Sequence, residues 1–203
     1  GSEMCKETDK GSALIHEMLH NLGARFNGRP CHIPAALDRN GTVVHALLSG
    51  TYAGGSMDEV MARDYLAGRY WGAMDSNEEG FWNFETMNLK GEQKDCAVYL
   101  SFWLFSPRSL VNLLLEPNMP RLDLEFAADD KLAVYVNGNL LDNAVKRQDN
   151  PALPQRIEGI PLEKGWNHVL LKVGQLWGGW NGRFRFIATD PAYMRQLESV
   201  IMQ

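Results

Sequence analysis

Short stretches in the second half of the chain alternate apolar and polar residues, which is the spacing of a half-buried β-strand. In RLDLEFA (121–127), the apolar side chains share one face, and the charged ones, Asp123 among them, should face solvent. HVLLKV (168–173) and RFRFIA (183–188) repeat the pattern. These stretches predict antiparallel strands that each bury one face.

Two further features indicate how the strands connect. Asn137-Gly138 follows the apolar run KLAVYV (131–136), and an Asn-Gly pair readily adopts the positive φ angles of a two-residue hairpin. AVYLSFWLF (97–105) is apolar on both faces, as expected for a central strand that is covered on both sides. The sequence therefore predicts a hairpin at Asn137-Gly138 and a central strand at 97–105.

Helical spacing occurs at three places outside these strands. Residues 12–22 place apolar side chains every three or four positions, and residues 56–68 begin with a capping box. Near the end of the chain, Asp190 can cap a helix that starts with Pro191 and continues to about Ile201. All three helices are expected to be peripheral.

Together these elements predict a mainly β fold. The expected architecture is an antiparallel, jelly-roll-like β-sandwich with N-terminal, middle and C-terminal helices at its periphery. Residues 1–40 would form a helical N-terminal extension, and residues 41–203 would form the sandwich domain.

Composition narrows the choice of partners. The 203 residues carry a net charge of −5, which gives no basic field for a polyanion, so nucleic acid is not an expected partner. No run approaches the roughly 20 apolar residues of a membrane-spanning helix. The three cysteines, Cys5, Cys31 and Cys96, allow at most one internal disulfide and do not fix the redox compartment.

The residues from 129 to 173 carry a family resemblance. They contain a paired aspartate at Asp129-Asp130, an apolar strand that ends in Asn137-Gly138, and PLEKGWN (161–167) before an LLKV strand. This pattern resembles the sugar-binding β-sandwich domains, galactose-binding-like and anthrax-protective-antigen-type, that are attached to secreted bacterial glycan-degrading enzymes. The resemblance implies a glycan ligand, other domains in a larger protein, and a secreted, periplasmic or cell-surface location.

The same resemblance implies candidate ligand-binding residues. In some protective-antigen-type modules an aspartate pair at this position binds calcium, which then coordinates sugar hydroxyls. Asp129 and Asp130 match that pair, and Asn137 matches the asparagine of the hairpin. Calcium, which takes six to eight oxygen ligands, is thus the one cofactor that the resemblance offers. We favour no metal at this pair, because the sequence shows no other dense acidic loop nearby and the two aspartates can simply cap their own turn.

Sugar recognition also needs flat apolar surfaces, and tryptophan supplies them. Trp177 and Trp180 flank Gly178-Gly179, in a turn where a ring could stand clear of the core. The alternative is that one or both rings cover the end of the core. Trp103 and Trp166 lie in predicted strands and are interpreted as structural.

One motif favours different chemistry. His16-Glu17-Met18-Leu19-His20 is the HExxH pattern, in which a helix presents two histidines to zinc with a glutamate as general base. Phe26 stands where a third histidine would follow, and the two histidines oppose the apolar stripe of the helix. We therefore favour no zinc site at His16 and His20.

Three functions remain open from the sequence. The first is a non-catalytic carbohydrate-binding or accessory module, for which no catalytic residue is assigned. The second is a zinc-dependent hydrolase that uses His16, Glu17 and His20, and the third is a structural interaction module without a small ligand. Elemental analysis for zinc separates the second from the others, and a glycan array separates the first from the third.

Overall fold

The computed structural model describes residues 34–53, 71–87, 89, 95–111, 119–141, 146–147, 154–176 and 178–201, all within one compact unit, Pro34–Met202. The described residues form thirteen strands and one short helix. In chain order these are β1 (His45–Ser49), β2 (Tyr52–Ala53), β3 (Trp71–Asp75), β4 (Phe81–Asn83), β5 (Cys96–Ser106), β6 (Leu122–Ala128), β7 (Lys131–Val136), β8 (Asn139–Leu140), β9 (Lys146–Arg147), β10 (Gln155–Ile157), β11 (Gly165–Gln175), β12 (Asn181–Ala188), α1 (Pro191–Met194) and β13 (Glu198–Val200).

The strands form two antiparallel sheets. The larger runs in the order β3-β1-β5-β11-β7-β8, with β2 and β13 also paired to β5 and β9 to β7, and the smaller runs β10-β6-β12-β4. The apolar side chains of both sheets form one core, which holds Leu100, Phe102 and Leu171 from the large sheet and Phe126 and Phe184 from the small one. The predicted antiparallel β-sandwich is confirmed.

The middle of the large sheet is the pair β5 and β11, which run side by side from Cys96 opposite Gln175 to Ser106 opposite Gly165. The predicted central strand is therefore confirmed. The prediction that HVLLKV is only half buried is wrong. Leu170 and Lys172, on the face away from the core, are 2% and 5% exposed, because aromatic neighbours such as Tyr99 pack beside them.

The hairpin forms as predicted. Asn137 and Gly138 have φ angles of 51° and 81°, and Val136 pairs with Asn139 across the turn. Gly138 tolerates this φ because it has no Cβ. The hairpin joins β7 to β8 at the edge of the large sheet.

In the small sheet, the alternation of RLDLEFA places Leu122, Leu124 and Phe126 in the core as predicted. Asp123 was expected to face solvent, and this is wrong, because Asp123 is 1% exposed. Its carboxylate accepts hydrogen bonds from Arg121 Nε at 2.8 Å and from the Gly159 amide at 2.9 Å. Alternation predicted the correct face of the sheet, but it could not predict that these groups cover that face.

The C-terminal helix is shorter than expected. Asp190 caps α1 by accepting a hydrogen bond from the Ala192 amide, as predicted, but the helix ends at Met194. Residues 198–200 form β13, which pairs with β5 and extends the large sheet. Strand pairing with residues Trp103–Phe105 of β5 outweighs the helical spacing of these few residues.

Two predicted helices, at 12–22 and 56–68, lie outside the described residues. Ala36 and Leu37, which precede the predicted domain start at residue 41, pack in the core, and Leu37 bridges to Val43. The division into residues 1–40 and 41–203 stays a prediction. None of the helical structure in the described ranges is long and apolar enough to cross a membrane.

Candidate functional site

Two connections meet at one end of the sandwich. Asp129 and Asp130, joined by a cis peptide bond, link β6 to β7, and residues 176–180 link β11 to β12. The Asp129 amide donates to the Asn181 carbonyl at 3.1 Å, and Asp130 Oδ2 accepts from the Leu176 amide at 2.7 Å. We call this region, residues 129–130 and 174–181, the Asp129 end. The aspartate pair thus fixes both ends of the neighbouring connection.

Inside the Asp129 end, the chain passes close to the carboxylate of Asp129. Gln175 Nε2 donates to the Gly178 carbonyl at 3.0 Å, and Gly178 has a φ of +92°. A Cβ added at Gly179 would lie 3.2 Å from Asp129 Oδ2. The two glycines therefore let the backbone approach the carboxylate and leave it uncovered by any side chain of their own.

Two polar atoms at this end have no hydrogen-bond partner in the part of the chain that the structure describes. They are Oε1 of Gln175, whose side chain is 3% exposed, and Nε1 of Trp180, which is 1% exposed. A buried polar atom without a partner costs roughly 1–3 kcal/mol. Unpartnered buried groups are rare in folded proteins, so each needs an explanation, and a bound ligand is one of them.

Several carboxylates lie near one another at the Asp129 end. Partial burial raises the pKa of Asp129 above its usual value, and the negative charges of Asp130 and Glu85 raise that pKa further. Glu85 is placed nearby because the Phe84 amide donates to the Trp180 carbonyl at 3.0 Å. The Asp129 end therefore favours a ligand that offers hydroxyl or cationic groups.

Of the two tryptophans predicted to contact a sugar, only Trp180 lies in the described part of the chain. Trp180 is 1% exposed, and its ring centroid lies 5.4 Å from that of Phe84 in the core. A stacking role for Trp180 is not compatible with this burial, so the alternative reading, a ring that covers the end of the core, is the correct one. Trp177 lies outside the described residues, and its role stays a prediction.

Asn137 is not brought to the site. It lies at the opposite end of β7 from Asp130, roughly 20 Å away at the usual rise of a strand. Its Nδ2 donates to Asn167 Oδ1, and its Oδ1 accepts from the His168 amide, each at 2.9 Å. Because the fold uses both atoms, we leave Asn137 out of the candidate site.

Sequence reasoning missed Gln175, Gly179 and Glu85. Gln175 is the last residue of an apolar strand, and nothing in the sequence says that its amide oxygen is buried without a partner. Gly179 was noted only as a neighbour of tryptophans. Glu85 is one of many surface acids, and only the pairing of β4 with β12 brings it close to Asp129.

Metal sites were tested against the same atoms. Within the described ranges, no three His, Cys, Asp or Glu side chains converge to hold an ion. Calcium also accepts amide and backbone carbonyl oxygens, so Asp129, Asp130 and Gln175 Oε1 together are a donor set of the right chemistry. His16 and His20 lie outside the described residues, as do Cys5 and Cys31, and Cys96 is buried.

Comparisons with known proteins give structural neighbours only. No family model matches the sequence, and no curated protein matches it. The chain is similar to a β-glucosidase from Kluyveromyces marxianus in complex with glucose, at 12% identity and a TM-score of 0.38, over 90% of this chain and 22% of that one. The chain thus spans about a fifth of the enzyme's length.

Two carbohydrate-binding modules are also similar. A family 35 module from an environmental isolate is 15% identical, with a TM-score of 0.35 over 65% of this chain and 89% of that one. A family 35 module from Clostridium thermocellum is 12% identical, with a TM-score of 0.29 over 56% and 83%. The fold itself is assigned from the strand pairing.

Proposed function

We propose that this chain is a non-catalytic carbohydrate-binding or accessory module, and that its glycan binds at the Asp129 end. One observation carries the proposal: the buried amide oxygen of Gln175 has no partner within the described residues, while its Nε2 orders the glycine connection beside Asp129. A ligand hydroxyl is the kind of donor that would satisfy this oxygen.

The remaining groups at this end suit a sugar. Vicinal hydroxyls donate hydrogen bonds to carboxylates, and charge-assisted bonds of this kind are stronger than neutral ones. Asp129 presents its carboxylate beside Gly179, which carries no side chain of its own. Asp130 Oδ2 accepts a hydrogen bond from the Leu176 amide and so also positions the connection. Trp177, next to Gly178, remains the candidate ring for the apolar face of the sugar.

Calcium belongs to this proposal as the one cofactor. Asp129, Asp130 and Gln175 Oε1 would hold it, and in that case the ion rather than a sugar hydroxyl would satisfy Gln175 Oε1. When bound, the ion would supply positive charge for hydroxyl oxygens. A cation bound there would favour the charged form of Asp129, which burial and the neighbouring acids disfavour. Secretion, and attachment to a larger cell-envelope or glycan-degrading protein, follow from the sequence resemblance alone and are proposed with it.

A glycan array probed with and without calcium tests the proposal. We expect glycans that bind wild type and lose about tenfold or more in affinity with Asp129→Asn, which removes one charged acceptor. Asp75→Asn, which changes an exposed carboxylate on the edge strand β3, is the matched control and should bind like wild type. An array with no glycan bound at about 1 mM would refute the proposal and favour the structural interaction module.

A further inference from the structure

A sugar at the Asp129 end would meet oxygen atoms that accept hydrogen bonds. Gln175 Oε1 is buried without a partner among the described residues. The next residue along, Leu176, donates its amide to Asp130 Oδ2 at 2.7 Å. Gln175 Nε2 donates to the Gly178 carbonyl, one residue before the glycine that faces Asp129 Oδ2. The unpartnered oxygen therefore belongs to the same connection that the aspartate pair holds.

A third carboxylate, that of Glu85, is brought to this end by strand pairing. β4 pairs with β12 at Asn181, and the carbonyl of Asn181 accepts from the Asp129 amide at 3.1 Å. The Phe84 amide donates to the Trp180 carbonyl at 3.0 Å, so Glu85 directly follows a residue that is fixed to the connection. Glu85 is exposed, and it therefore acts on a ligand through its charge.

The charges at this end share one sign. Burial raises the pKa of Asp129, and the charges that raise it further, those of Asp130 and Glu85, are both negative. Lys131 follows the aspartate pair, but alternation along β7 places it on the outer face of the large sheet with Tyr135, whereas Asp129 directly follows β6 of the small sheet. The described part of the Asp129 end is therefore negative.

We infer that the Asp129 end prefers an amino sugar, a hexose in which a protonated amine replaces one hydroxyl. An ammonium group offers three donors and a positive charge, whereas a hydroxyl offers one donor and no charge. Asp129 would accept a charge-assisted hydrogen bond from it, and Gln175 Oε1 would accept a second. Asp130 and Glu85 would attract the cation over a longer distance. The inference rests on the proposed function, because it names the class of sugar for the same site.

Calorimetric titration with two matched pairs of sugars tests the inference. The pairs are D-glucosamine with D-glucose and D-galactosamine with D-galactose, and within each pair only the group at C2 differs. The buffer is at about pH 6.5, where an amine of the α-amino type is protonated, and it contains a chelator, because calcium would compete for the same oxygen atoms. At least one amino sugar should bind about threefold or more tightly than its neutral partner, and the difference should shrink as salt rises.

Three variants locate the preference. Asp129→Asn should weaken the amino sugar about tenfold, because it removes the charged acceptor. Glu85→Gln should reduce the preference for the amino sugar about twofold, because one attracting charge is lost. Glu79→Gln is the matched control. Glu79 is equally exposed and lies before β4 rather than after it, so this variant changes the net charge by the same amount and should keep the wild-type preference.

The inference is overturned if both amino sugars bind less than about threefold more tightly than their neutral partners, or if none of the four sugars binds at about 10 mM. It is also overturned if the preference survives Asp129→Asn unchanged. An array that yields neutral glycans whose binding depends on Asp129, together with no preference for an amine, would overturn this inference alone and leave the proposed function standing.

Discussion

Both ends of β7 carry residues that match the family motif. They differ in whether their polar side-chain atoms have hydrogen-bond partners. At the Asn137 end, formed by residues 137 and 163–168, Asn167 Oδ1 accepts from Asn137 Nδ2 and the Glu163 amide, while its Nδ2 donates to two carbonyls. At the Asp129 end, the Gln175 amide bonds through its nitrogen, and its oxygen has no partner among the described residues. The side-chain atoms of Asn167 therefore find their partners within the Asn137 end. At the Asp129 end, Gln175 Oε1 still lacks a donor among the described residues.

This difference separates structural residues from candidate binding residues. A buried amide with all its bonds satisfied stabilises a fold, whereas an unsatisfied one costs free energy that only an outside partner recovers. Matching a family motif cannot make this distinction, because Asn137 and Asp129 both match. The prediction that follows is that changes at the Asn137 end alter stability without altering binding, and that changes at the Asp129 end alter binding with smaller effects on stability.

The largest effect is expected from Asn167→Ala. Asn167 is fully buried and its side chain makes four hydrogen bonds, so their loss should lower the free energy of unfolding by about 3 kcal/mol and the melting temperature by roughly 10 °C. Thermal and urea unfolding measure this. Asn139→Ala, an exposed neighbour, should change stability by less than about 0.5 kcal/mol. A loss below about 1 kcal/mol for Asn167→Ala would mean that this end is not the structural one.

A pair of glycine substitutions gives the next effect. Gly138→Ala should cost about 1 kcal/mol of stability, because an alanine at a φ of +81° is strained even though nothing lies within 4 Å of the new Cβ. Gly179→Ala should cost less, since Asp129 can shift by a few tenths of an ångström, but it should weaken glycan binding. Equal binding by both variants would argue against a ligand beside Gly179.

The smallest effect is expected from Asp129→Asn, and it has the opposite sign. Because the pKa of Asp129 is raised in the folded protein, the folded state holds this proton more tightly than the unfolded state does. Stability is therefore lost as pH rises through the folded-state pKa and the carboxyl becomes charged. Removing the charge should raise stability at pH 7 by less than about 1 kcal/mol, since the site is partly solvated. The gain should fade as pH falls towards the usual aspartate range, about pH 4. Unfolding measured from pH 4 to pH 7 checks this, and a loss of stability at pH 7 would contradict it.

Much of the fold could be predicted because its signals are local. Alternation in RFRFIA, the apolar run of β5 and the positive φ angles at Asn137-Gly138 each follow from a few neighbouring residues. The errors arise where distant residues decide. Asp123 is buried by Arg121 and the Gly159 amide, and residues 198–200 became a strand because β5 offered an edge.

The candidate site was predictable only in part for the same reason. The aspartate pair could be recognised from its motif. The burial of Trp180 and the missing hydrogen-bond donor at Gln175 Oε1, by contrast, depend on how β4, β11 and β12 pack together.

The most direct test of the account is to map a bound glycan on the amide spectrum of the protein by nuclear magnetic resonance. Titration of an array-selected neutral glycan should shift the amides of Gly178, Gly179 and Asn181, and it should leave those of Gly138 and Asn139 unmoved. Shifts concentrated at Gly138 and Asn139, with the amides of Gly178 and Gly179 unchanged, would contradict the claim that the unpartnered Gln175 Oε1 marks the binding site.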